Sequence, residues 1–296
     1  MTYWGLSAAL LLSFANRAPS TALAIRYRNL VFQGPITALT VLPGETVTLE
    51  AVNQFEGGSI ARPLAGVLRV TGRGRWKGTA PQTAGLYPIH ITSGTDSLTV
   101  QAFVLIPYAR VKRERLNGYR IGQYPSRPLR GLDIYRPPTG FIEVTAANEN
   151  TYVSPHFQLK QFVCKQGGGY PKYIVLNERL LQKLESLLEL ANRAGYQAST
   201  FHVMSGYRTP AYNRALGNVP YSRHTWGAAA DIFIDEDADG RMDDLNGDGH
   251  STLADAEALY RLFDASGRVT GMGKYAPTEA HGPFVHVDVR DRRARW

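Results

Sequence analysis

The sequence predicts an α+β protein in two parts: an all-β, immunoglobulin-like sandwich, followed by a domain of antiparallel sheet and helices. Up to about residue 108, short alternating apolar runs follow one another with no long helical period. After residue 153, leucines recur at helical spacing, and two apolar runs carry histidine and aspartate. A chain of 296 residues with 44% hydrophobic content is long enough for about two such domains.

Short apolar runs separated by turn residues justify the sandwich at residues 25–108. Turn-forming residues punctuate them at residues 43–45 and 83–85. Trp76 lies between two of the runs and is expected in the core. The runs that predict strands are residues 47–50, 66–70, 86–91 and 97–103.

A connection rich in proline, arginine and tyrosine occupies residues 109–152. It either packs on the second domain and shapes a groove there, or only links the two domains. The second domain, residues 153–296, is predicted to begin its main helix after Asn177, a residue type that caps helices, and to end it at Gly195. The leucines at core spacing on this helix are Leu180, Leu181, Leu184, Leu187 and Leu188.

The first 24 residues predict a secretory signal peptide. Residues 5–15 form an apolar run too short to span a bilayer comfortably, and residues 22–24 offer a small-x-small cleavage site. No lysine or arginine precedes the run, so a buried N-terminal segment is the alternative. The single cysteine, Cys164, excludes an internal disulfide and lies in an apolar context typical of the core. We expect a periplasmic or secreted protein without a transmembrane anchor.

The net charge of +8 favours an anionic partner. The lysines and arginines are scattered and no nucleic-acid-binding motif is present, so nucleic acid is not expected as the partner. An anionic cell wall is consistent with the predicted compartment. Nothing in the sequence points to an oligomer, and we expect a monomer.

Three residues with metal-ligating side chains stand in a pattern. His224 is followed by Asp231 at the start of a β-run, and His286 lies inside a second alternating run. Each residue alone has an ordinary structural explanation, but two central strands of one sheet would bring the side chains together. Three protein ligands leave a coordination position open, as in hydrolytic zinc sites.

The motifs around these residues resemble the peptidase M15 family. Ser-Gly-Tyr-Arg ends at Arg208, Ser-Arg-His-x-x-Gly-x-Ala-x-Asp spans residues 222–231, and Val-His-x-Asp spans residues 285–288. The resemblance covers about residues 153–296 and is strongest to the D-alanyl-D-alanine carboxypeptidase-like branch, M15_3. It implies a zinc-peptidase domain in which Arg208 holds a substrate carboxylate or the developing oxyanion. The zinc ligands that it implies are His224, Asp231 and His286.

The general base departs from the family pattern. Many relatives carry glutamate, aspartate or histidine two or three residues before the last zinc histidine, where this chain has Pro283 and Phe284. The remaining candidates are His281, Glu279 and Asp288. Asp288 shares a strand face with His286, so it is either the base or a group that orients the histidine or a nearby basic residue.

Two interpretations of the function follow. The resemblance implies a zinc peptidase that cleaves peptide bonds in peptidoglycan by a metal-activated water, as a D,D-carboxypeptidase or an endopeptidase. The alternative is a non-catalytic, zinc-containing cell-wall-binding or signalling module, favoured by the missing base before His286. Cell-wall or partner binding by the sandwich domain is a separate hypothesis.

A second metal signal follows Asp231 directly. Oxygen-bearing side chains at alternate positions before glycine are typical of a calcium loop, and residues 235–255 contain two such patterns. The better pattern leads into a helix predicted at residues 253–263, and its ligands would be Asp244, Asn246, Asp248, the carbonyl of His250, Thr252 and Asp255. The weaker pattern offers Asp235, Asp237, Asp239 and Asp243. An acidic surface turn without a cation is the alternative, and calcium would have a structural role.

Overall fold

The computed structural model describes residues 23–52, 60–63 and 68–296. The proposed signal peptide therefore lies almost wholly outside the described residues. The described residues of the N-terminal domain lie mainly in β-strands. They are β1 (Ala24–Tyr27), β2 (Leu30–Gln33), β3 (Ile36–Val41), β4 (Thr46–Ala51), β5 (Ile60–Pro63), β6 (Leu68–Gly72), β7 (Arg75–Thr79), β8 (Gly85–Ser93) and β9 (Asp96–Val104).

These strands form two sheets that enclose one apolar core. The first has the order β2-β1-β4-β7-β6 and the second β3-β9-β8-β5. Strand β3 pairs with β9 in parallel, whereas the other pairs are antiparallel. Trp76 and Leu49 from the first sheet and Ile91 from the second are almost inaccessible and belong to the same core. The predicted β-sandwich is confirmed, and the described residues of the predicted runs fall in β4, β6, β8 and β9. Residues 66–67 of the second run lie outside the described residues.

The connection after the sandwich packs into the second domain. Tyr124 donates a hydrogen bond of 2.7 Å to the Thr225 carbonyl, and Trp226 donates one of 2.7 Å to the Arg136 carbonyl. Of the two alternatives for residues 109–152, packing on the second domain is therefore the one observed. The strands between the end of β9 and helix α1 (Glu178–Arg193) are β10 (Ile106–Pro107), β11 (Arg115–Leu116), β12 (Tyr119–Arg120), β13 (Gly140–Val144), β14 (Tyr152–Ser154), β15 (Phe157–Gln158) and β16 (Lys172–Ile174).

The C-terminal domain combines helices with a five-stranded sheet of order β17-β18-β20-β19-β21. All its pairs are antiparallel except β19 with β21. Together with the sandwich, this gives the predicted α+β architecture. The elements are α1 (Glu178–Arg193), β17 (His202–Ser205), α2 (Pro210–Ala215), β18 (Ala229–Phe233), α3 (Leu253–Ala265), β19 (Gly271–Tyr275), β20 (Phe284–Asp288) and β21 (Ala294–Arg295).

Helix α1 forms as predicted from its cap and its leucines. The Asn177 side chain accepts a hydrogen bond from the Arg179 amide, and the five predicted leucines are buried in the core shared with the sheet. Glu178 joins this helix to the sandwich, because its Oε1 accepts hydrogen bonds from the Thr40 amide at 2.9 Å and hydroxyl at 2.6 Å. The two domains are thus in direct contact. Among the described residues, no helix is long and apolar enough to cross a membrane.

Candidate metal centre

Two neighbouring strands and the turn before them position the candidate ligands. Asp231 on β18 is the direct cross-strand partner of His286 on β20. Partners in adjacent strands place their side chains on the same face of the sheet. His224 lies in a 3₁₀ turn, Arg223–Trp226, that ends at Gly227 with φ 59°. A Cβ on Gly227 would lie 2.0 Å from the Val175 carbonyl oxygen, so this tight return to β18 requires glycine.

The three ligand atoms converge at a buried point. His224 Nε2 is 3.2 Å from Asp231 Oδ1 and 3.3 Å from His286 Nδ1. The remaining pair, His286 Nδ1 and Asp231 Oδ1, is 2.7 Å apart. A tetrahedral zinc ion with bonds of about 2.0–2.1 Å separates its ligands by about 3.3 Å. The donor set, two imidazole nitrogens and one carboxylate oxygen, therefore fits zinc in its chemistry, and two of its three spacings match this value.

Hydrogen bonds on the far side of each ligand fix which atom faces the centre. His224 Nδ1 lies 2.7 Å from the Gly206 carbonyl, which can only accept, so Nδ1 carries the proton and Nε2 presents its lone pair. Asp231 directs Oδ1 inward while its Oδ2 accepts a hydrogen bond from Arg208. Arg208 is itself oriented by a 2.7 Å hydrogen bond from its Nε to the Ser205 hydroxyl.

The protonation states of Asp231 and His224 favour a cation. Burial alone would raise the pKa of Asp231, but its contacts with His224 and His286 outweigh burial and hold that pKa well below its usual range. Burial lowers the pKa of the His224 imidazole. An ionised carboxylate beside a neutral imidazole is the state in which both residues bind a metal.

Asp288 lies behind His286 rather than in the open part of the site. It is fully buried, and its Oδ2 is 3.4 Å from His286 Nε2. Arg290 Nε donates to both Asp288 oxygens at 2.9 Å. Burial opposes ionisation, but His286 and Arg290 hold the pKa of Asp288 well below its usual range. Of the two roles predicted for Asp288, the geometry favours orientation of the histidine over proton transfer.

Replacing Asp288 by asparagine should therefore weaken metal binding about 10–100-fold, as is typical when an outer partner of a ligating histidine is lost. The expected change is a rise in the metal Kd, measured by competition with a chromogenic chelator. Asp291→Asn is the matched control, because Asp291 is an exposed neighbour. Equal affinities in the two variants would contradict the orienting role.

The donor atoms open onto a cavity of about 770 Å³. Aromatic side chains line it, among them Tyr275, Phe284 and Trp296, and the Trp296 ring lies 5.3 Å from that of His286. Arginines, including Arg208 and Arg292, also line the cavity. An open pocket above a buried donor set gives a substrate direct access to the site.

Among the base candidates, the structure places His281 on the cavity wall. Its Nδ1 lies 2.8 Å from the Gly282 carbonyl, and its ring packs edge-on against Phe284 at 5.0 Å. Glu279 is exposed and is not among the lining residues of the described cavity. Phe284, two residues before His286, is buried and stacks on Tyr275.

The acidic segment 235–255 forms two turns. The first contains Asp235, Asp237 and Asp239, and the second contains Asp244, Asn246 and Asp248. In the second turn, Asp255 is buried as the capping-box residue of α3, and its carboxylate accepts hydrogen bonds from the amides of Leu245, Asn246 and Thr252. In the first turn, Asp235, Asp237 and Asp239 each offer an oxygen within 4.8 Å of the others. This group of three does not include Asp243, whose Oδ2 accepts from the Glu236 amide.

The sequence reasoning missed the residues that support the ligands. Ser205, Arg290 and Trp296 contact Arg208, Asp288 and His286, respectively. Arg290 could have been found from its position two residues after Asp288, because i and i+2 can share a face. Ser205 begins the Ser-Gly-Tyr-Arg motif, but its contact with Arg208 and the position of Trp296 carry no such local signal.

The fold and the site define a class: an α+β domain with a buried His–Asp–His donor set below an open cavity, as in hydrolytic metalloenzymes. Residues 155–246 match the family model described as Peptidase M15. The predicted resemblance to the peptidase M15 family is confirmed for this part of the chain. The match includes Arg208, His224 and Asp231 and ends before His286. No curated protein matches the chain.

Proposed function

We propose that the protein is a zinc-dependent peptidase that hydrolyses peptide bonds in peptidoglycan. The observation that carries the proposal is the convergence of His224 Nε2, Asp231 Oδ1 and His286 Nδ1 below the open cavity. When bound, zinc supplies an activated water and polarises a carbonyl group. Zinc would be held by these three residues.

The cavity residues supply the remaining chemistry. Arg208 borders both Asp231 and the cavity, so its guanidinium can donate to a substrate carboxylate or to the negative charge that develops on the scissile carbonyl oxygen. His281 is the cavity-lining candidate for proton transfer, because hydrolysis of an amide requires protonation of the leaving amine. Asp288 acts through His286 by fixing its orientation.

Replacing His281 by alanine should lower kcat by about 10²–10⁴ while leaving the zinc content unchanged, because proton transfer is lost and the ligands are intact. Steady-state kinetics and metal analysis of the same preparation measure the two quantities. Glu279→Gln is the control and should retain activity. If Glu279→Gln abolished turnover and His281→Ala did not, the assignment of His281 would be wrong.

Peptidoglycan as the substrate is supported by the charge of the chain and the cavity. Arginines line the pocket, and stem peptides carry carboxylates that such side chains bind. A D,D-carboxypeptidase needs a terminal carboxylate near Arg208, whereas an endopeptidase needs a cavity that accepts chain on both sides of the bond. The site is compatible with either activity.

A specific observation supports a second candidate function, a non-catalytic zinc-containing wall-binding or signalling module. Pro283 and Phe284, which cannot transfer protons, occupy the positions where many relatives carry a base. In this alternative the cavity binds a wall peptide without cleaving it.

Mass spectrometry of purified muropeptides, incubated with zinc-loaded protein and with His224→Ala, tests the proposal. Loss of a terminal alanine would identify a D,D-carboxypeptidase, and resolution of cross-linked dimers would identify an endopeptidase. Bound zinc without any zinc-dependent change in either substrate would favour the non-catalytic module.

The proposal extends to setting and partners. A periplasmic or secreted monomer is proposed on the basis of the N-terminal apolar run and a wall substrate. Calcium in the acidic segment is proposed as a structural ion, since residues 235–255 contribute no side chain to the described cavity.

A further inference from the structure

The first acidic turn contains a carboxylate that is almost completely buried. The Asp235 side chain is only 5% exposed. Its Oδ2 lies 3.2 Å from His202 Nδ1 and accepts the Gly240 amide at 3.2 Å. Its Oδ1 is also buried, yet it has no hydrogen-bond partner among the described residues. Burying a carboxylate oxygen without a hydrogen-bond partner costs folding free energy, and a bound ligand at this atom would offset that cost.

Two further carboxylates lie in the same turn. Asp237 and Asp239 are exposed, and each offers an oxygen within 4.8 Å of the other and of one from Asp235. Within the described residues, no lysine or arginine forms an ion pair with any of the three. Three carboxylates this close repel one another unless a cation lies between them.

The second turn differs because none of its described carboxylate oxygens is both buried and without a hydrogen-bond partner. The Asp244 carboxylate accepts the amides of Gly247, Asp248 and Gly249. Asp255 is likewise occupied by three backbone amides. Among the described residues, Asp235 is the one carboxylate with a buried oxygen lacking a hydrogen-bond partner. The sequence spacing favours the second turn, whereas the unpartnered oxygen of Asp235 favours the first.

We propose that Asp235, Asp237 and Asp239 bind one calcium ion in the first acidic turn. The donors are all hard oxygens in a flexible turn, which suits calcium, and Gly240 at the sixth position has the positive φ of 81° that the sharp turn requires. The carbonyl of Arg241, at the seventh position, and water complete the shell. This site is independent of the proposed peptidase activity.

The ion would brace the strand that carries a ligand of the metal centre. Asp235 follows β18 by two residues and lies four residues after Asp231. It also contacts His202 on β17, whose ring stacks on Phe233 at 4.4 Å. Calcium at Asp235 therefore fixes the ends of β17 and β18 against each other.

Isothermal titration of the zinc-loaded full chain with calcium, paired with thermal unfolding, tests the site. Wild-type protein should bind one calcium ion, and its Tm should rise by about 5 °C at a hundredfold excess over the Kd. Asp237→Asn, an isosteric change at an exposed position, should raise the Kd at least about tenfold. Asp244→Asn should leave the Kd unchanged.

The zinc site and the folding of the variants are controlled separately. His224→Ala should retain calcium binding, so failure of the peptidase proposal and failure of this one are distinguishable. Circular dichroism of Asp237→Asn should match that of the wild type. Absence of calcium binding by the wild type would overturn the proposal. The proposal would also be overturned if Asp244→Asn lost calcium binding while Asp237→Asn kept the wild-type affinity.

Discussion

Substitution of His224 by alanine is expected to abolish metal binding and peptidase activity together. His224 is buried, its Nδ1 is committed to the Gly206 carbonyl, and its Nε2 lies within 3.3 Å of the other two ligand atoms. Removing it leaves two protein ligands, too few for a stable catalytic zinc site. We expect kcat/KM to fall by about 10³ or more, since both activation of water and polarisation of the carbonyl are lost.

The measurement is metal content by elemental analysis alongside muropeptide hydrolysis. His250→Ala is the matched control, because it removes an exposed histidine of the acidic segment and should change neither quantity. Full zinc occupancy in His224→Ala would remove this residue from the ligand set. Unchanged hydrolysis by a zinc-free variant would show that the activity does not use this centre.

The second large effect is expected for Arg208→Ala. At saturating zinc, kcat/KM should fall by about 10²–10³, the loss typical when one donor to a developing oxyanion is removed. Zinc affinity should also fall about 10–100-fold, because Arg208 holds the Oδ2 of Asp231. The structure thus gives Arg208 an orienting contact in addition to the substrate role that the resemblance implies.

Substrate pairs separate these two contributions. One substrate of each pair has a free C-terminal carboxylate, and the other has the corresponding amide. Wild-type protein should prefer the carboxylate, and Arg208→Ala should lose that preference. Arg208→Lys keeps the charge without the bidentate geometry and should recover part of the rate. An unchanged kcat/KM in Arg208→Ala at saturating zinc would contradict both substrate roles, and an unchanged preference would contradict carboxylate binding alone.

Residue spacing made much of the centre predictable. Asp231 and His286 lie in alternating apolar runs, and the period of two in a strand fixes the face that each side chain occupies. Helix α1 was equally clear, because Asn177 and the leucines give both its beginning and its buried face. In both cases the controlling interactions are local in sequence.

Contacts between distant segments were not predictable in the same way. The parallel pairing of β3 with β9 and the packing of residues 109–152 depend on tertiary contacts that leave no periodic signal. The spacing predicts Asp255 as a calcium ligand, and in the structure its carboxylate caps α3. An aspartate at this position suits either role, so the sequence alone does not separate them. The unpartnered oxygen of Asp235 could not be predicted from the sequence, because the burial of a single atom depends on the tertiary fold.

The pairing of Asp231 with His286 has a consequence for the dynamics of the chain. These residues are 55 positions apart, and the acidic segment, α3 and β19 all lie between them. An ion shared by the two acts as a removable cross-link that closes this loop, and closing a long loop restricts the unfolded chain more than closing a short one. Hydrogen exchange on metal removal should therefore quicken first across residues 232–285, while the amides of the sandwich keep their protection.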